Sequence, residues 1–245
     1  MDRDDTPVGR VLTRREALAV LGVSGLTLLG GRTVFGRTPA DAPRAFPSCV
    51  VRPEQTEGPY FVDEKLDRAD IRSDPATGTV KDGVPLALIL AVSRLSEGAC
   101  APLAGAHVDI WHCDALGVYS DVEDPTFNTV GQRFLRGYQV TDAEGVARFQ
   151  TIYPGWYPGR AVHIHFKIRT DPGAARGSEF TSQLYFDDAL TTRVHARAPY
   201  ASKGQRRDRN ADDRFFVRGG DQLLLAPTPA GDGYTARFAV GLQMS

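Results

Sequence analysis

Beyond residue 48 the chain alternates apolar and polar positions in short runs, broken repeatedly by Gly, Pro, Asp or Asn. Residues 85–92 form the most continuous apolar run, and Asp82-Gly83 leads into it, so it reads as a buried strand. Over residues 105–112 the alternation is regular: Val108, Ile110 and His112 share one face, and His107, Asp109 and Trp111 the other. Residues 136–140 and 146–150 flank a Gly-containing turn at 141–145 and predict a hairpin. Residues 162–168, 182–186, 215–218 and 234–242 complete the predicted strands. No long stretch between residues 50 and 245 keeps a 3.6-residue period. The expected fold is therefore all-β: a two-sheet antiparallel β-sandwich with short helices and long loops, one domain over residues 48–245.

Residues 1–47 have a different character. Arg14 and Arg15 precede an apolar run at 17–31 that carries four glycines. That run is shorter than the ~20 residues a membrane-spanning helix needs, and polar sequence follows it. The pattern predicts a twin-arginine export signal, then a Pro/Ala-rich linker at 38–47, with the protein exported and not stably inserted in a membrane. Cys49, Cys100 and Cys113 make an odd count, so one disulfide and one free thiol are expected, with the pairing open. Net charge is −1, with 42% hydrophobic and 24% charged residues, which gives no sign of a nucleic-acid or anionic-membrane partner. The most basic stretch, 203–209, is mixed with Asp208, Asp212 and Asp213 and reads as a solvated loop.

The chemistry concentrates in residues 154–166. His163 and His165 alternate with Val162, Ile164 and Phe166, so on a strand both imidazoles leave from one face. Two imidazoles one strand step apart can hold one metal ion. Tyr157 lies just upstream in a Pro/Gly-rich turn, and a phenolate is a hard anionic ligand that suits ferric iron. A second tyrosine, Tyr119, follows the strand end at Trp111 and the turn at Gly117.

These motifs, in this order, resemble the intradiol ring-cleavage dioxygenases of the protocatechuate, catechol and hydroxyquinol group. The likeness runs through Gly58, Pro59 and Tyr60, then Trp111 to Asp114 with Gly117 and Tyr119. It continues through Arg136-Gly137, Pro154 to Tyr157, Arg160 with His163 and His165, and Gln183 to Phe186. The resemblance implies one Fe(III) held by Tyr119, Tyr157, His163 and His165, and a catechol-type substrate cleaved with O2. It also implies that Arg160 stabilises negative charge on the ring, with Gln183 beside it and Tyr60 near the substrate. One departure stands out: only five residues separate Tyr157 from His163, where relatives usually carry a longer insertion. The tighter turn bears on substrate choice and leaves Tyr153 as a rival to Tyr157. His107, His112 and His195 read as structural. Asp109, Asp114, Asp187 and Asp188 could supply a two-His, one-carboxylate site as a second reading. The alternative function is an exported β-sandwich binding domain that keeps the scaffold without turnover.

Overall fold

The alternation around the histidine pair becomes a strand, β8 (His163–Arg169), buried on both faces. Ile164, Phe166 and Ile168 enter the main core, while His163, His165 and Lys167 leave from the opposite face. The computed structural model describes residues 49–96, 99–170 and 178–243, so the predicted export signal and nearly all of the linker lie outside the described residues.

The remaining elements, in chain order, are β1 (Pro85–Ser96), β2 (Ala99–Pro102), β3 (His107–Trp111), β4 (Glu123–Asp124), β5 (Phe127–Asn128), β6 (Arg136–Val140), β7 (Val146–Ile152), β9 (Glu179–Tyr185), α1 (Asp188–His195), β10 (Thr228–Ala230) and β11 (Gly233–Gln243). One sheet runs β10-β11-β1-β2, with β7 also pairing β1; the other runs β6-β3-β8-β9. Leu86, Leu88, Leu90 and Val92 of β1 face Val108, Ile110, Ile164 and Phe166 within one core. Each such buried side chain contributes roughly 1.5–3 kcal/mol. The expected sandwich forms, and most pairs are antiparallel, but β1 and β11 run parallel from Leu86↔Tyr234 to Leu95↔Gln243.

Two predicted elements differ. The hairpin at 136–150 does not form: β6 pairs β3 in one sheet and β7 pairs β1 in the other. The turn between them is real, with Asp142 Oδ1 accepting from the Val146 and Glu144 amides. Gly145, at φ +73°, lies so close to the Val92 carbonyl that a side chain there would overlap it. The turn is thus pinned to β1 and carries the chain from sheet to sheet. Residues 216–218 form a short 3-10 helix rather than a strand, held by the Asp213 side chain bonding the Phe215 and Phe216 amides. The pairing left open by the sequence is Cys49–Cys100, and Cys113 is a buried free thiol. Among the described residues no helix is long and apolar enough to cross a membrane.

Candidate metal centre

Strand register lines up Arg136, Trp111, His165 and Gln183 side by side across β6, β3, β8 and β9, on the face turned away from the core. The Trp111 indole stacks on the His165 ring at 4.9 Å and 6°, and fixes its plane. His163 Nδ1 lies 2.7 Å from the Ala161 carbonyl and donates to it, which leaves the Nε2 lone pair free. That Nε2 is 3.0 Å from His165 Nε2. Burial, with Arg160 nearby, pushes both imidazoles well below their ordinary pKa, so both are neutral donors.

Two loops bring the tyrosines over this pair. Tyr119 follows the Gly117 turn, which Asp114 Oδ1 shapes by accepting from the Leu116 and Val118 amides. The 154–158 loop locks onto that turn: the Gly155 amide donates to the Asp114 carbonyl at 3.1 Å. A Cβ on Gly155 would overlap the Asp114 and Ala115 carbonyls, and one on Gly117 would overlap the Trp156 carbonyl. Only glycines allow the two tyrosine loops to interlock so closely. Tyr157 Oη then lies 3.2 Å from His163 Nε2, and the two tyrosine rings meet edge-on at 5.7 Å. Tyr119 is 1% exposed, whereas Tyr157 is half-buried at the rim. Tyr60 stacks on Tyr119 at 4.5 Å and donates its hydroxyl to Asp124 at 2.7 Å. Burial pushes Tyr157 up to about 12 and Tyr119 well above its ordinary value.

The buried Tyr119 hydroxyl and His165 Nδ1 lack a well-formed hydrogen bond, which is costly. The Tyr157 hydroxyl, Arg160 Nη1 and His165 Nε2 all converge on the single lone pair of His163 Nε2. A cation suits this arrangement: it takes one Nε2 lone pair from each ring and favours ionised phenols, which inverts the effect of burial. The N2O2 donor set fits ferric iron in chemistry. Among the described residues no three His, Cys, Asp or Glu side chains gather as a metal site. The four aspartates of the carboxylate reading are engaged elsewhere: Asp109 with Arg169, Asp114 with Lys81, Asp188 with Arg206, and Asp187 capping α1.

Arg160 closes one side. Its Nη1 is 3.4 Å from His163 Nε2, its Nε donates to Asp213 Oδ2 at 2.9 Å, and its Nη2 donates to Gln183 Oε1. Gln183 Nε2 in turn donates to the Thr56 carbonyl at 2.9 Å.

Residues 56–202 match the family model described as dioxygenase. The chain is similar to an intradiol ring-cleavage dioxygenase from Tetranychus urticae, at 30% identity and TM-score 0.69, over 80% of this chain and 95% of that one. It is also similar to the dioxygenase domain of a dioxygenase carbohydrate-binding fusion from Streptomyces sp. SirexAA-E, at 31% identity and TM-score 0.55, over 80% of this chain and all of that one. Among curated proteins it is 33% identical over 129 residues to the protocatechuate 3,4-dioxygenase beta chain of Burkholderia cepacia, covering 49% of this chain. The chain belongs to the intradiol dioxygenase family. It spans 54% of the length of that beta chain and 64% of that of a Pseudomonas putida chlorocatechol 1,2-dioxygenase.

Within this dioxygenase family member, the rival tyrosine and the three histidines read as structural make their bonds elsewhere. Tyr153 is wholly buried against Phe186 and bonds Thr191 at 2.7 Å, away from the histidine pair. His107 stacks on Tyr138, and His195 Nε2 bonds the Pro154 carbonyl. His112 donates from Nδ1 to the Cys113 carbonyl and accepts from Thr151 at Nε2.

His112 carries a pH consequence. Burial lowers its pKa from 6.5 to about 4, so the folded protein holds it neutral where the unfolded chain has taken a proton. Its contribution is fully present above pH 6.5 and is lost as pH falls towards 4, a loss of roughly 2–3 kcal/mol by pH 4.5. Urea unfolding of His112→Gln at pH 8 and pH 4.5 is expected to show a smaller pH-dependent loss than the wild type; equal losses refute the assignment.

One residue of the site was not legible in the sequence. Asp213, read as part of a solvated loop, is 0% exposed and bonded to Arg160. The neighbouring segment is likewise engaged: Arg206 pairs with Asp188, and Asp208 accepts from the Gly159 amide. The only local clue was Phe215-Phe216 directly after it, an apolar pair that a solvated loop does not need.

Proposed function

We propose that this protein is an Fe(III)-dependent enzyme that splits a catecholic ring between its two hydroxyl-bearing carbons with O2, giving a cis,cis-muconate-type diacid. The observation that carries this reading is the convergence of two neutral imidazole Nε2 atoms with two tyrosine hydroxyls beside a buried arginine. In this reading Tyr119, Tyr157, His163 and His165 hold the ion. Bound there, Fe(III) supplies a Lewis acid that acidifies the catechol hydroxyls and draws electron density from the ring. The chain's own groups do the rest. Tyr119 is sealed beneath Tyr60 and has no room to leave. Tyr157 stands at the half-open rim, so its Oη is the group placed to take a proton from an incoming catechol hydroxyl. Arg160 points Nη1 into the same space, where fixed positive charge in a dry site favours negative charge building on the ring. Trp111, Phe61 and Tyr60 pack around the ligands and keep water out.

The test is colour together with oxygen uptake. Iron-loaded protein is expected to be red to burgundy from tyrosinate-to-iron charge transfer, and to consume O2 with catechol, protocatechuate or hydroxyquinol. Colourless iron-loaded protein overturns the ligand set. Colour without uptake on all three compounds favours the binding-domain alternative.

We also infer that it acts outside the cytoplasm. The Arg14-Arg15 pattern and the Cys49–Cys100 bridge support this, since disulfides persist in oxidising compartments. Replacing both arginines by lysine is expected to retain the protein in the cytoplasm; unchanged location refutes the twin-arginine route.

A further inference from the structure

We propose that Asp213 is the positioning residue that aims Arg160 into the site. The inference rests on the dioxygenase reading and adds a residue to it from beyond the family match, which ends at residue 202.

The geometry has three parts. A guanidinium is planar, so two fixed hydrogen bonds on different nitrogens set its plane. Asp213 Oδ2 takes Nε at 2.9 Å and Gln183 Oε1 takes Nη2, and the nitrogen left over, Nη1, faces His163. Without Asp213 the fork loses its carboxylate partner on Nε and keeps the Gln183 contact and the longer approach of Nη1 to His163, so the side chain can swing. Next, the Phe215 ring lies 4.5 Å from the Arg160 Cζ and blocks movement out of plane. Asp213 Oδ1 fixes that ring as well, because it accepts from the Phe215 amide at 2.7 Å. Finally, Oδ2 also accepts from the Ala161 amide at 2.9 Å, which ties down the peptide that follows Arg160. One wholly buried carboxylate therefore holds the arginine, the backbone that carries it and its stacking partner.

Burying a carboxylate is expensive unless it is fully paired. Here four donors from two distant segments converge on it: Arg160 Nε and the Ala161, Phe215 and Phe216 amides. A neutral residue could tie two loops together at lower cost. A fixed negative charge on Nε, by contrast, holds a positive charge at a defined place beside the reacting ring.

The experiment is a double-mutant cycle on iron-loaded protein, using Asp213→Asn, Arg160→Ala and the pair, with steady-state kinetics on whichever catechol the wild type cleaves. Asp213→Asn is expected to lower kcat by roughly 10- to 100-fold, the scale of a misplaced electrostatic group. KM should move less than about 3-fold, and the visible tyrosinate band should stay at its wild-type position and intensity. In the Arg160→Ala background the same change should alter kcat by less than about 2-fold, because the group it aims is gone. Equal losses in both backgrounds overturn the proposal, as does wild-type kcat in Asp213→Asn. Loss of the visible band along with activity also overturns it, since Asp213 would then act on the iron ligands instead. Should Asp213→Asn fail to fold, the wild-type crystal structure decides: Arg160 Nε bonded to Asp213 supports the proposal, and an arginine turned elsewhere refutes it. A wild type that turns over no catechol brings down the dioxygenase reading and this inference with it; wild-type turnover indifferent to Asp213 brings down this inference alone.

Discussion

Tyr157→Phe is expected to strip most of the visible band from the iron-loaded protein and to cut turnover by at least ~100-fold, the contribution typical of a positioned proton acceptor. The phenol oxygen is the only part of the side chain removed, and it is the atom 3.2 Å from His163 Nε2. The ring remains to pack against Tyr119 and Tyr60, so the fold should survive. Tyr153→Phe is the matched control. Its hydroxyl meets Thr191 in the core, so its loss should cost about 1 kcal/mol of stability and leave colour and turnover intact. Absorption spectra, iron content and oxygen uptake on both variants decide the matter. Bleaching by Tyr153→Phe rather than Tyr157→Phe reverses the assignment.

Arg136→Met is expected to be the most destabilising single change around the site, at about 4 kcal/mol. Arg136 is 2% exposed and donates to the Ser120 carbonyl and hydroxyl and to the Tyr60 carbonyl. Methionine fills similar space but satisfies none of these acceptors, and each buried acceptor left bare costs about 1–3 kcal/mol. Ser120 adjoins Tyr119, and Tyr60 stacks on Tyr119, so the damage should reach the proposed metal centre. Chemical denaturation should show the shifted midpoint, and iron content at a fixed iron concentration should fall. A variant of wild-type stability that loads iron normally refutes the stapling role.

How much of this could be read from the chain depends on which contacts are local. The histidine pair was legible because a strand's two-residue period puts His163 and His165 on one face whatever surrounds them. The tyrosines were legible only through motif order, since nothing in a turn sequence says where a phenol points. Strand identity was legible too, but partners were not. The alternation in residues 136–150 is the same whether two strands pair with each other or divide between sheets, and here Gly145 against Val92 divided them. The parallel run of β1 beside β11 is hidden for the same reason: apolar periodicity fixes a face and says nothing of direction. Asp213 was illegible because its partner is 53 residues away and its own neighbours are charged.

The stretch from Pro53 to Phe61 crosses the outer face of the β8 sheet without joining it as a strand. Gln183 and Arg136 reach up from the sheet to the carbonyls of Thr56 and Tyr60, and at the sheet edge Ser182 holds the Pro53 carbonyl while the Gln55 amide donates to the Thr181 carbonyl. Gly58, at φ +72°, lets this stretch lie directly on the His165 ring. Its side chains are tied down as well: Gln55 bonds Tyr185 and the Phe215 carbonyl, Glu57 pairs with Lys167, Tyr60 bonds Asp124 and Phe61 packs on Trp111. The strip is therefore a fixed roof rather than a replaceable one, and a change in it should disturb the histidine pair beneath along with what is admitted to the site.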